Sequence, residues 1–310
     1  MLEAVELTKQ FKQHKAVNKA SLFLERGEIV GLLGPNGAGK STTIAMISTL
    51  IPPTSGDVRF NNESVIKHPH KLRNVLGVVP QEIALYSDLS AKENLQFFGK
   101  IYRLSGMELK TRIEEVLEIV GLTDRQNDLV KHFSGGMKRR LNIGVALLHE
   151  PKFIIMDEPT VGIDPQSRNY ILETVKRLNE EKKMTVLYTS HYMEEVEFLC
   201  DRIYIMDQGH IIVSGTKEEI KNILSSEDTI QIKVERANES FIQALHQNPI
   251  ISRVTVQDGL ITILAPKEVN LLSTLFKLAD ETKTVLTSVE IKTPTLEDVF
   301  LHLTGRALRD

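Results

Sequence analysis

The segment Gly34-Pro35-Asn36-Gly37-Ala38-Gly39-Lys40-Ser41 fits the pattern GxxxxGK(S/T) and directly follows a short apolar run, Ile29-Val30-Gly31-Leu32-Leu33. Glycines at these positions let backbone N–H groups converge on a phosphate with no Cβ in the way. A helix is expected from Ser41 to about Leu50, and its positive N-terminus faces the same anion. Lys40 is placed to reach the β- and γ-phosphates and the Ser41 hydroxyl to hold Mg²⁺. The stretch from Gly34 to Thr42 is the expected nucleotide-binding loop. A pair of acids, Asp157-Glu158, closes a second apolar run, Phe153-Ile154-Ile155-Met156. Phosphoryl transfer asks a protein for positioning and charge neutralisation around the metal, so Asp157 is expected to hold Mg²⁺ through water. Glu158 is the candidate to orient the attacking water and accept its proton.

Strands must carry these loops. The two runs above and Thr185-Val186-Leu187-Tyr188 are short and apolar without alternation, as in parallel strands buried on both faces, so the first two-thirds read as α/β. Between about residues 82 and 150 the texture is helical. Ser90-Ala91-Lys92-Glu93 is a capping box opening Asn94-Leu95-Gln96-Phe97-Phe98. Ile113, Val116, Leu117 and Val120 repeat at helical spacing and stop at Gly121. Beyond about residue 225, Ile230, Ile232 and Val234 alternate with polar neighbours, and Phe241, Ile242 and Leu245 follow on a helix. Val254-Thr255-Val256 and Leu260-Ile261-Thr262-Ile263 flank an Asp258-Gly259 hairpin signal. A helix with Leu272, Leu275, Phe276 and Leu278 and a strand Val289-Glu290-Ile291 complete a ferredoxin-like βαββαβ order. A final amphipathic helix with Leu296, Val299, Phe300 and Leu303 is expected from Thr295 to Gly305. The expected layout is a catalytic α/β domain over 1–222, with its helical insert, and a small α+β accessory domain over 226–310 that shows no catalytic constellation.

Composition narrows the function classes. A formal net charge of -3 gives no electrostatic footprint for nucleic acid. The single cysteine, Cys200, reads as a buried inert thiol in a reducing compartment. The start lacks a basic region followed by an apolar stretch, so no signal peptide is expected. No apolar run approaches the roughly 18 residues of a membrane span. Any service to a membrane is expected to run through a partner. His68 and His70, around Pro69, show no metal-ligand spacing.

Phe133-Ser134-Gly135-Gly136-Met137 resembles LSGGQ, the signature of ABC ATPases, and lies between the phosphate loop and the acidic pair in that family's order. Gln81 looks like the Q-loop glutamine, Gly162-Ile163-Asp164 the D-loop, His191 the switch histidine and Phe11 the aromatic that stacks on adenine. The resemblance covers about residues 1–220. It implies an ATP-hydrolysing subunit with a P-loop ABC ATPase core, acting as a head-to-tail homodimer that sandwiches two ATP molecules. Ser134, Gly135 and Gly136 of one copy would face the γ-phosphate bound by the other, and Asp164 would cross the dimer. His191 would contact the γ-phosphate, and Gln81 would reach the metal and report nucleotide state towards the insert, where integral-membrane permease chains dock. The implied location is the cytoplasmic face of the membrane. On the residues alone, Ser134 is a good helix N-cap, and the helix start behind it is a second anion site. Met137 and Phe133 depart from the usual glutamine and leucine. The ordinary alternative for Phe11 is a core phenylalanine, and for His191 a satisfied core histidine. Lys138-Arg139-Arg140 reads as a solvated or dimer-facing basic patch.

The tail Pro294-Thr295-Leu296-Glu297-Asp298-Val299-Phe300-Leu301 resembles that of drug-resistance export ATPases of the daunorubicin type, which implies efflux of an antibiotic or other amphipathic compound through a separate permease. The alternative is a soluble ABC ATPase acting on ribosomes or DNA. Against it stand the single phosphate loop, the absence of a sustained heptad run and the net charge, and no nucleic-acid partner is expected.

Overall fold

The computed structural model describes residues 1–223, 227–235, 238–257, 260–266, 271–292 and 295–304. The Asp258-Gly259 turn, Pro294 of the tail and Gly305 lie outside the described residues. Contacts group the described chain into two compact units: Met1–Lys217, together with Leu303 and Thr304, and Glu218–His302.

The first unit begins with β1 (Leu2–Phe11), β2 (His14–Leu24), β3 (Ile29–Leu33), α1 (Lys40–Ile47), β4 (Ser55–Phe60) and β5 (Glu63–Ser64). It continues through α2 (Pro69–Arg73), β6 (Leu76–Val79), α3 (Ala91–Ile101), α4 (Gly106–Ile119) and α5 (Gly135–Leu147). Then come β7 (Phe153–Asp157), α6 (Pro165–Lys182), β8 (Thr185–Ser190), α7 (Met193–Leu199), β9 (Arg202–Asp207) and β10 (His210–Thr216). A six-stranded sheet runs in the order β10-β9-β3-β8-β7-β6, parallel except for β10 at its edge. Every residue of β3, β7 and β8 is buried, which is why these strands read as unbroken apolar runs. The register pairs Leu33 with Ser190 on one side of β8 and Asp157 with Thr189 on the other. The ends of three strands therefore deliver the phosphate loop, the acidic pair and His191 to one edge, the carboxyl edge where ligands bind in open parallel sheets.

An antiparallel sheet, β2-β1-β4-β5, packs its apolar face into the core that holds α1. Parts of its strands alternate, with Leu2 and Ala4, and Ala20, Leu22 and Leu24, buried between exposed or half-buried neighbours. The helix expected to reach Leu50 stops at Ile47. There the Ser48 hydroxyl donates back to the Ile44 carbonyl (2.7 Å), and Thr49 takes a left-handed φ of 60°. In the helical insert the expected capping box opens α3, with Ser90 and Glu93 exchanging hydrogen bonds. Asn94, fully buried, accepts from the Tyr86 N–H and donates to the Tyr86 and Ser90 carbonyls, pinning the segment that leads in from Gln81.

After α8 (Lys217–Asn222) the second unit runs β11 (Glu227–Val234), α9 (Glu239–Gln247), β12 (Arg253–Gln257), β13 (Leu260–Pro266), α10 (Leu271–Glu281) and β14 (Leu286–Lys292). The antiparallel sheet order β12-β13-β11-β14 is the ferredoxin-like arrangement of a βαββαβ chain. Its core takes Ile230, Ile232, Ile261 and Ile263 from the sheet and Phe241, Leu245, Leu271 and Leu275 from the helices. The last described helix is α11 (Leu296–Thr304), where Leu296, Val299 and Phe300 are buried.

Candidate nucleotide site

The phosphate loop sits between β3 and α1 and forms one side of a cleft of about 450 Å³. The cleft is lined by Asn36, Gly37, Ala38, Gly39, Lys40, Ser41 and Thr42, with Phe11, His14 and Ala16 on one wall and Gln81 and Glu158 on another. Gly39 has φ 105°, and a Cβ there would lie 2.6 Å from the Ala16 carbonyl oxygen, so only glycine lets the loop turn into α1. Lys40 is 5% exposed; its ammonium donates to the carbonyls of Gly34 (2.7 Å) and Pro35 (3.2 Å). The same ammonium lies 3.4 Å from Glu158 Oε1.

Glu158 gathers the rest of the site. It has a left-handed φ of 46°, a strained conformation for a residue with a side chain, and its N–H donates to Thr189 Oγ1 (2.9 Å). The Thr189 hydroxyl donates to Asp157 Oδ1 (2.9 Å), so β8 holds both acids at the end of β7. Gln81 Nε2 donates to Glu158 Oε2 (3.3 Å), and His191 Nδ1 comes within 3.5 Å of the same oxygen without hydrogen-bond geometry. Three side chains from three separate segments thus meet at the carboxylate of Glu158, a residue that is 6% exposed. A negative group surrounded by a cation, an amide donor and an imidazole is arranged to hold a phosphate and handle a proton beside it.

The signature residues lie elsewhere. Ser134 caps α5 by accepting from the Met137 N–H (3.2 Å), and Asp164 caps α6 by accepting from the Ser167 N–H (2.8 Å), a bond that lowers the Asp164 carboxyl below its usual range. Gly136 packs against that second cap: a Cβ on it would fall 2.0 Å from Ser167 Oγ. Ser134 and Gly135 are exposed, and neither they nor Gly136 nor Asp164 lines the cleft. One chain therefore brings together Phe11, the phosphate loop, Gln81, Glu158 and His191, and separately Ser134, Gly135, Gly136 and Asp164.

Two positioning groups escaped the sequence reading. Thr189 lies just past the apolar run Thr185-Val186-Leu187-Tyr188 and carried no signal of its own. Arg139 was placed in a solvated basic patch; instead it is 5% exposed and donates to the carbonyls of Pro80 (2.8 Å) and Gln81 (2.6 Å), tying α5 to the base of the Gln81 loop. Arg140 is likewise occupied, donating to the Val120 and Gly121 carbonyls, both at 3.1 Å. Three consecutive basic residues gave no hint that helical rotation turns the middle one inwards.

The contrast between the two signature glycines is testable by thermal melting. Gly136→Ala is expected to cost about 1–3 kcal/mol of stability through its clash with Ser167. Gly135→Ala, whose Cβ would find nothing nearer than the Gly162 carbonyl oxygen at 3.9 Å, should stay within about 0.5 kcal/mol of the parent.

The profile described as ABC transporter matches residues 17–161. Over 312 residues the chain is 51% identical to the linearmycin resistance ATP-binding protein LnrL of Bacillus subtilis, covering 100% of both chains. It is 34% identical over 299 residues to the daunorubicin resistance ATP-binding protein DrrA3 of Streptomyces coeruleorubidus, covering 96% of this chain and 93% of that one. Among solved structures it resembles the dimeric post-hydrolysis state of the ATP-binding cassette MJ0796 bound to ADP and Pi, with a TM-score of 0.64 and 29% identity over 70% of this chain and 98% of that one. With the phosphate loop, acidic pair and signature in one α/β unit, these likenesses identify the chain as a member of the ABC transporter ATP-binding family, carrying that family's ATPase cassette.

Proposed function

We propose that this chain energises efflux of an antibiotic or other amphipathic compound through a separate membrane permease, hydrolysing ATP as a homodimer at the cytoplasmic face. The observation that carries the catalytic part is the convergence of Lys40, Gln81 and His191 on the Glu158 carboxylate.

In this reading the backbone amides of the phosphate loop and the N-terminus of α1 hold the phosphates, and Lys40 exchanges its carbonyl partners for phosphate oxygens. Phe11, 49% exposed on the cleft wall, offers its ring to the base. The oxygens of Ser41, Gln81 and Asp157 are hard donors of the kind Mg²⁺ prefers, and one carboxylate plus substrate phosphates is its usual protein environment. Bound there, Mg²⁺ would supply charge neutralisation on the phosphates. Glu158 orients water and accepts its proton as the water oxygen bonds to the γ-phosphorus and the bond to the β–γ bridging oxygen breaks, releasing ADP, and His191, beside Glu158, contacts the γ-phosphate. Electrostatic preorganisation is built in, because Thr189 already fixes both acids.

An exposed, capped helix N-terminus at Ser134-Gly135-Gly136 is an anion site that the chain's own cleft does not use. MJ0796, in the two structures matched, is dimeric. The separate permease is supported by the absence, among the described residues, of any helix long and apolar enough to cross a membrane. The helical insert offers a docking face: Tyr86 and Phe97 stack edge to face at 4.8 Å and are 49% and 40% exposed, and a cleft of about 1100 Å³ opens beside Ile101 and Met107. Export is supported by the linearmycin and daunorubicin resistance relatives, which match this chain over nearly all of its length.

Two variants separate binding from chemistry. Lys40→Ala should weaken ATP affinity about tenfold or more, a loss of at least about 1.4 kcal/mol readable by calorimetry. Glu158→Gln should bind ATP within about twofold of the parent while kcat falls on the order of 100-fold or more. A tagged Glu158→Gln chain, recovered with ATP from detergent-solubilised cells, should bring multispanning membrane proteins in stoichiometric amount. Ribosomal or DNA-associated proteins with no membrane partner would instead favour the soluble ABC ATPase.

A further inference from the structure

Behind the cleft lies a buried carboxylate that the proposed chemistry does not use. Glu195, on α7, is 1% exposed. Its Oε2 accepts three hydroxyl hydrogen bonds, from Thr160 (2.8 Å), Tyr188 (2.9 Å) and Ser190 (2.7 Å). Its Oε1 has Arg168 Nε at 3.5 Å. Burying a carboxylate is expensive unless such partners compensate it, and a cluster that merely filled space would be cheaper in apolar side chains.

The partners are informative. Thr160 stands two residues after Glu158, and Ser190 immediately precedes His191. Ser190 Oγ donates to Glu195 and accepts from the Tyr192 N–H (2.9 Å), so it brackets His191 from both sides. A second route reaches the same histidine. The Arg168 guanidinium lies 4.6 Å from the centre of the Tyr192 ring, and that ring packs on the His191 imidazole at 4.2 Å. Burial and the neighbouring Glu195 charge keep the Tyr188 phenol protonated well above its ordinary range, so it remains a donor to the cluster.

We infer that Glu195 is a positioning residue for ATP hydrolysis, tying the segment after Glu158 to the segment before His191 and so setting how these two side chains meet. The inference rests on the roles proposed above for Glu158 and His191. Glu195→Gln keeps the size but loses the charge that draws three hydroxyls and Arg168 together. Hydrolysis should suffer and nucleotide binding should not, because no atom of Glu195 lines the cleft.

The test is a double-mutant cycle on the full chain, measuring kcat and ATP affinity for the parent, Glu195→Gln, His191→Ala and the pair. Glu195→Gln should lower kcat roughly tenfold, with ATP affinity within about twofold, and should add no further loss in the His191→Ala background. An equal loss in both backgrounds, or no loss in the parent, would overturn the positioning role while leaving His191 in place. A His191→Ala chain working at the parental rate would sink the reading of His191 and this inference with it. Should Glu195→Gln fail to fold, Ser190→Ala removes only the link beside His191, and the same non-additivity decides the matter.

Discussion

The approach of the Lys40 ammonium to the Glu158 carboxylate, 3.4 Å apart with both side chains shielded from water, is the contact on which the arrangement of the first unit turns. Two opposite charges taken out of water are costly unless geometry and further hydrogen bonds compensate them. Here the compensation comes from every neighbouring segment: phosphate-loop carbonyls on the lysine, Thr189 behind the glutamate, Gln81 and His191 at its side. In the proposed function, a phosphate entering the cleft offers Lys40 a better partner and releases Glu158 to meet water. On that proposal, nucleotide binding reorganises a polar cluster that is already assembled.

That cluster connects outward through backbone contacts. Gln81 touches Glu158 by its side chain, while its carbonyl is held by Arg139 of α5, the helix that begins with the signature residues. Through Asn94 the chain leading on from Gln81 is anchored at the start of α3. Any shift of Gln81 that the proposed function requires would be passed through these contacts to the helical insert, whose aromatic face is the proposed docking surface. Coupling of this kind needs only that the two arrangements differ in affinity for nucleotide.

Much of this was legible in the sequence, for physical reasons. Fully buried parallel strands write continuous apolar runs, so β3, β7 and β8 announced themselves, and so did the loops at their ends. Ser90, Ser134 and the period-two alternation of Ile230, Ile232 and Val234 likewise carry their structural meaning locally. The antiparallel sheet of β1, β2, β4 and β5 was not anticipated, because its strands alternate weakly and are interrupted by bulges. Arg139, Thr189 and Glu195 were missed for a different cause. Their roles come wholly or partly from partners 30 or more residues away, and an arginine in a basic run or a glutamate in Glu194-Glu195 looks like solvated charge until the fold shows what it faces.

In the proposed homodimer one chain holds half of each hydrolytic site and a second copy supplies the rest. Sedimentation of the Glu158→Gln chain, with and without ATP, tests it most directly. The prediction is a monomer without nucleotide and a stable dimer with ATP, reverting to monomer when ADP replaces ATP. A chain that binds ATP to saturation and stays monomeric at every concentration tested would contradict it.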